Sequence, residues 1–324
     1  MTLKSILIPT PPNYFFSKND PDDPRLGEIV KTAQLGNTDL KPDDFVLMGY
    51  PDDDGIRLSG GRLGAAEAPK LIRQFLYKMT PSVLSNKKIR LFDFGDLANV
   101  SDLPTRHQEA LALTANFHEK KMRVITLGGG HDYGYSDVAG FLKTHGTTSA
   151  SKPKPVVINF DAHLDVRPTH HGFNSGTPFY RVLSEYKGQF EFIEIGLQPQ
   201  CNAKAHWSWA ADHGAHLFDL KTIETKGLKD LLNHSVFKQI TPQTPLFISF
   251  DIDALSAFEA GGCSQAWVTG LKTQECLEFL TALYKLTDVR GLGVYEVSPP
   301  LDRDFQTSKT AALLVHHFLY ETNV

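Results

Sequence analysis

The sequence predicts an α/β fold in which helices cover both faces of a mostly parallel sheet. Three observations lead there. Short β-type runs alternate with stretches of helical period along the chain. Several of those runs are almost wholly apolar, as strands buried on both faces are. Three segments rich in aspartate or histidine each directly follow such a run. In open α/β sheets that is where ligands bind, beyond the carboxyl ends of the strands.

The first ~40 residues read as loop, with Pro9-Thr-Pro-Pro12 and the polar run Ser17–Pro24, and are expected to form an arm or surface extension. A strand over Phe45–Gly49 follows. A helix over Ala65–Lys78 places Leu71, Ile72, Phe75 and Leu76 on one face. Ile89–Phe94 is the next strand, and a helix over Arg106–Lys120 opens after Pro104-Thr105. Further strands are expected at Arg123–Leu127, Val156–Phe160, Glu191–Ile195, Ala215–Phe218, Leu246–Phe250 and Gly293–Tyr295. Helices are expected over Thr273–Lys285, where Cys276, Phe279, Leu280 and Leu283 share a face, and over Thr310–Tyr320. The Ser/Lys/Pro stretch Ser149–Pro155 is too short to separate domains, so the 324 residues are expected to form one.

Composition narrows the function. A net charge of −4 without a long basic run argues against nucleic acid as the main partner. No apolar stretch approaches a membrane span, and Met1-Thr-Leu-Lys-Ser-Ile6 lacks a signal-peptide core. Cys201, Cys263 and Cys276 are odd in number and not in a metal-type spacing, which fits a reducing cytoplasm.

The chemistry lies in Asp161-Ala-His163-Leu-Asp165 and Asp251-Ile-Asp253, each at the end of an apolar run. In an extended chain, side chains two apart point the same way, so the members of each segment can converge. Four carboxylates taken from water cost several kcal/mol per ion unless opposite charge compensates. Neither segment contains lysine or arginine. Two divalent cations would neutralise four carboxylates. A third segment, Gly128-Gly-Gly130-His131-Asp132, ends the run Val124–Leu127 and adds an imidazole above the sheet. Two imidazoles and four carboxylates form a hard set that suits Mn²⁺ better than structural zinc, with Fe, Co and Zn also possible occupants.

Gly128-Gly-Gly-His131, Asp161-Ala-His-Leu-Asp165 and Ser249-Phe-Asp-Ile-Asp253 together resemble the three signatures of the ureohydrolases, the arginase, agmatinase and formimidoylglutamase superfamily. The stretches Gly49–Ala66, Ser175-Gly-Thr-Pro-Phe179 and Gly196-Leu-Gln-Pro-Gln200 are similar to formimidoylglutamases in particular. Two departures stand out. Asp132 occupies a position where related bacterial enzymes usually carry Glu, and no proline follows Asp253.

The resemblance implies a three-layer α/β/α, arginase-like fold with a central sheet of about eight strands. It implies two Mn²⁺ per chain, with Asp161 and Asp251 bridging, His131 and Asp165 completing one sphere, and His163 and Asp253 the other. Asp165 would carry a proton from the attacking water to the leaving nitrogen. Glu296, after Gly291–Tyr295, would grip the planar N–C–N group by paired hydrogen bonds. Ser175-Gly-Thr-Pro178 stands where arginases carry a histidine thought to shuttle protons; His170 and His171 are nearby but read as solvated loop residues. Arg57, Arg62 and Arg167 are candidates for a substrate carboxylate, since guanidinium pairs bidentately with it, and Ser175 is a further candidate contact. A homo-oligomer, trimer or hexamer, is expected by analogy.

The expected activity is hydrolysis of N-formimidoyl-L-glutamate to L-glutamate and formamide in histidine degradation. An agmatinase or guanidino-acid hydrolase, releasing urea from a guanidine, is the alternative enzyme. A catalytically silent metal-binding scaffold is the alternative from another class.

Overall fold

The computed structural model describes residues 6–36 and 38–322. Ten strands form one sheet: β1 Leu7–Ile8, β2 Lys31–Thr32, β3 Phe45–Gly49, β4 Leu91–Leu97, β5 Arg123–Leu127, β6 Val156–Phe160, β7 Glu191–Leu197, β8 Ala215–Asp219, β9 Pro245–Asp251 and β10 Asp288–Tyr295. Their order is β1-β4-β3-β5-β10-β9-β6-β7-β8, with β2 also on β4. Among the described residues only β1 runs antiparallel.

Alternate residues of each central strand face opposite helix layers. Leu47, Ile125, Ile158, Ile193 and Ile248 share a core with the helices Ala68–Leu76, Thr273–Tyr284 and Gln306–Glu321. Their neighbours Val157, Phe192 and Phe247 pack with the helices Tyr133–His145 and Pro178–Glu185. Val46 and Val124 pack with the helix Leu103–Glu119. The period of two along each strand therefore builds both cores of a three-layer α/β/α sandwich.

The eight expected strands are present, and two more extend the sheet. Both extra strands come from the segment expected to be a loop-like arm. Two residues each, they carry no readable period, yet Leu7 pairs with Leu97 and Lys31 with Phe92. Leu26 and Val30 from the same segment are buried in the core. Some boundaries also differ. The helix expected from Arg106 begins at Leu103, because Asp102 caps it by accepting from the Thr105 amide at 2.9 Å. Pro104 then sits in the first turn, where a missing N–H costs nothing. The first strand residue of β10 is Asp288 rather than Gly293.

Candidate metal centre and active site

The three metal-type segments lie at or just after the ends of β5, β6 and β9, and Glu296 follows β10. In the sheet order β5-β10-β9-β6 these four strands are neighbours at its middle. Parallel strands ending together bring their loops to one edge.

After β5 the glycines carry the chain close beneath another loop. The Gly128 amide donates to Val294 O at 2.7 Å and Gly130 to Asp52 O at 3.1 Å. A Cβ on Gly129 would collide with the Asp52 carbonyl. His131 follows, its backbone N–H donating to Glu296 Oε1 at 3.0 Å. Its ring stacks on Tyr295 with centroids 4.9 Å apart, and Nε2 lies 2.9 Å from Ser249 Oγ. Nδ1 is left facing Asp165 Oδ2 at 3.0 Å and the Oδ2 atoms of Asp161 and Asp251 at 3.1 Å.

A second group adjoins the first. His163 Nδ1 lies 3.1 Å from Asp253 Oδ2 and 3.4 Å from Asp161 Oδ1. Asp161 thus offers one oxygen to each group, whereas Asp251 is grouped only with His131, Asp161 and Asp165. Convergence is reached differently from the extended segment expected. β6 stops at Phe160, and the chain bends so that Asp165 adopts φ +49°. Asp251 ends β9 and Asp253 sits in the following 3₁₀ turn, its amide donating to Asp251 Oδ1 at 2.9 Å. Glu296 also has a left-handed backbone, φ +65°. Such conformations cost of order 1–3 kcal/mol in non-glycine residues and persist where surroundings enforce them.

The electrostatics call for cations. Burial, then Asp253 and Asp161, push the Asp251 carboxyl well above its ordinary range. Burial and Asp161 raise Asp165. Burial raises Asp253 too, against the pull of His163. Asp161 is lowered despite its burial, because the rings of His131 and His163 lie against it. Burial pushes Glu296 up to about 8. If Nε2–H donates to Ser249, an unprotonated His131 Nδ1 would direct its lone pair among three carboxylate oxygens, and that atom has no hydrogen-bond partner. Such a cluster repels itself unless positive charge lies within it. The spacings near 3 Å match adjacent donors on one cation with bonds of about 2.1 Å. The donor set fits two hard divalent cations.

An open cleft reaches this cluster, lined by Ser59, His163, Asp165, Arg167, Ser175 and Glu296 among others. Of the three candidate arginines only Arg167 is in its wall. Arg57 is exposed and pairs with Asp54 at 2.9 Å. Arg62 donates to the carbonyls of Ser264 and Cys263, each at 2.9 Å, and ties two loops together. Ser175 Oγ lies 2.9 Å from Ser59 Oγ. His170 and His171 are exposed and do not line the cleft. Asp132 turns away from the cluster, with Oδ2 2.7 Å from His107 Nε2, in a buried space closed by Gly55 and Gly130.

Several supporting residues escaped the sequence reading. Ser249 stands two before Asp251, and Asn159 two before Asp161, so both share the ligand face. A lone polar residue inside an apolar run was the available signal. Asp137, buried, accepts from the hydroxyls of Tyr50, Thr126 and Tyr295 and so holds the ring on which His131 stacks. Its partners lie on other elements, beyond the reach of a local pattern.

Comparison with known proteins agrees with this geometry. The formimidoylglutamase of Bacillus subtilis strain 168 is 32% identical over 82% of this chain and 85% of its own. The crystal structure of the Bacillus subtilis formimidoylglutamase superposes with a TM-score of 0.81 at 29% identity, covering 94% of this chain and 93% of that one. A Trypanosoma cruzi formiminoglutamase, solved with two Mn²⁺ ions, gives 0.80 at 26% identity over 93% of this chain and 98% of its own. Residues 43–320 match the arginase family model. With the fold, the ordered segments and the relatives in agreement, this chain belongs to the arginase family.

Proposed function

We propose that this chain is a dinuclear manganese hydrolase that converts N-formimidoyl-L-glutamate and water into L-glutamate and formamide. The observation that carries this reading is one cleft that reaches a two-histidine, four-aspartate cluster and is lined by a buried glutamate and an arginine. The relatives named formimidoylglutamase support the substrate. His131, Asp161, Asp165 and Asp251 would hold one ion, and Asp161, His163 and Asp253 would hold the other. When bound, such a pair acidifies water, so that a nucleophile is available near neutral pH.

The side chains divide the remaining work. Asp165 accepts the proton of the attacking water and delivers it to the leaving nitrogen, which becomes the glutamate amine. Glu296 aligns the planar amidine through charge-assisted hydrogen bonds. A cationic amidine favours the ionised form that burial alone disfavours. Arg167, with Ser175 beside it, binds a carboxylate of the glutamate portion.

We also propose that the chain works as a single catalytic domain, in a trimer or hexamer, in the cytoplasm. The one continuous sheet supports the first of these, and three free cysteines suit the last. No helix among the described residues is long and apolar enough to cross a membrane. Family analogy supports the assembly.

The test is turnover by Mn²⁺-loaded protein of N-formimidoyl-L-glutamate, agmatine and guanidino acids. Glutamate and formamide should appear in equal amounts from the first. Much faster urea release from a guanidine would replace the substrate and keep the hydrolase. Full metal loading with no turnover of any of them would leave a silent scaffold.

A further inference from the structure

Beneath the ligand loops the sheet carries a second row of polar side chains. Asn159 on β6 is in register with Ser249 on β9 and with Glu194 on β7. All three are fully buried. Side chains two apart share a face, so the row lies directly under the ligands. Further down the same face the side chains are apolar: Val157, Phe192 and Phe247.

Ser249 is accounted for by His131. Glu194 is not accounted for by anything described so far. Burial, and then nearby Asp161, push its carboxyl well above the ordinary range, and its Oε1 has no hydrogen-bond partner. Among the described residues no lysine or arginine pairs with it. An apolar side chain would cost less in that position, since burying an under-bonded polar group is unfavourable.

Its side-chain hydrogen bond leads to the cluster. Asn159 Nδ2 donates to Glu194 Oε2 at 2.9 Å and to Asp161 Oδ2 at 3.3 Å. An asparagine amide has a donating and an accepting end, nearly equal in shape. Turned over, it would set its oxygen against the Asp161 carboxylate. Asn159 Oδ1 has no partner that would hold the amide in either orientation. The orientation is therefore set on the nitrogen side, by Asp161 and Glu194 together.

We propose that Glu194 is a positioning residue for the metal centre: by accepting from Asn159 it holds the amide N–H toward Asp161 and so fixes the direction of the one carboxylate that serves both groups. The inference rests on reading the cluster as a two-cation site. Outer contacts of this kind are worth roughly ten- to a hundredfold in metal affinity.

The experiment measures Mn²⁺ affinity and stoichiometry by calorimetry, with the melting temperature of metal-free protein taken alongside. Glu194→Leu should weaken Mn²⁺ binding roughly tenfold or more, while the metal-free melting temperature stays level or rises. Glu194→Gln keeps a carbonyl oxygen for Asn159 and should bind Mn²⁺ like the parent. Unchanged affinity in Glu194→Leu overturns the proposal, as does a Gln variant as weak as the Leu one. Should Glu194→Leu not fold, Asn159→Ala should show the same loss, and Asn159→Ala with Glu194→Ala no more than that. Additive losses in the double variant would overturn the shared role. A parent protein that binds no second Mn²⁺ defeats the two-cation reading instead.

Discussion

Arg167 stands over the small residue Gly176, where a Cβ would press on the arginine stem, and its own amide donates to the Gly176 carbonyl at 2.8 Å. That tie folds the loop back and puts Arg167 in the wall of the cleft that Glu296 also lines. In the proposed function the two residues act at different ends of the substrate, and their removal should be told apart by kinetics. Arg167→Ala should raise KM for formimidoylglutamate roughly ten- to a hundredfold with little change in kcat, since a distal grip acts alike in ground and transition states. Glu296→Gln should lower kcat roughly ten- to a thousandfold. It should keep its two Mn²⁺, because a glutamine oxygen still accepts from the His131 amide. Arg57→Ala is the control, since its ion pair is on the surface. A KM unchanged in Arg167→Ala would remove that residue from substrate binding.

Which elements could be read from the sequence depended on whether a local pattern carried them. The ligand segments were legible because charged residues abruptly end apolar runs. The helix Tyr133–His145 was not, since every residue from Tyr133 to Leu142 is buried and no polar face marks a period. Asn159, Ser249 and Glu194 look, one at a time, like ordinary satisfied polar residues in strands; only the register across β9, β6 and β7 makes them a row. Asp93-Phe-Gly-Asp96 lies within β4. Its anchor, Arg73, came from a distant helix and was invisible. Arg73, fully buried, donates to Asp93 at 3.0 Å and Asp96 at 2.6 Å, and Tyr77 adds a bond to Asp93 at 2.6 Å. The helix Ala68–Leu76 is thereby bolted to β4. Arg73→Leu would strand a buried carboxylate, and unfolding in urea should show a loss of about 3–5 kcal/mol. A loss below about 1 kcal/mol, the scale of an exposed pair, would mean the bolt contributes little.

Across the whole molecule the two ends of the sheet treat histidine in opposite ways. At the carboxyl ends of the strands burial pulls His131 and His163 down, and the carboxylates around them outweigh it and raise both. Toward the other end, burial lowers His118 well below its ordinary value and brings His145 to about 4. His118 sits among His145, Phe141 and Phe247, and neither of its ring nitrogens has a hydrogen-bond partner. A histidine lowered on folding binds fewer protons in the native state. Its stabilising contribution is whole above the unfolded value near 6.5 and is lost as pH falls through it toward the folded value. Raised carboxyls such as Asp137, brought up to about 6 by burial, favour the native state in the opposite direction. The net slope therefore mixes signs, and a difference between two proteins isolates one group. His118→Leu removes a titrating ring from an apolar site. Metal-free variant and parent should be compared by isothermal urea unfolding at pH 7 and pH 5. The variant's advantage should grow by about 2 kcal/mol on going to pH 5, the linkage expected of one histidine over that window. An advantage that stays level would mean that His118 keeps its proton in the folded chain and that water or an unrecognised partner reaches the site.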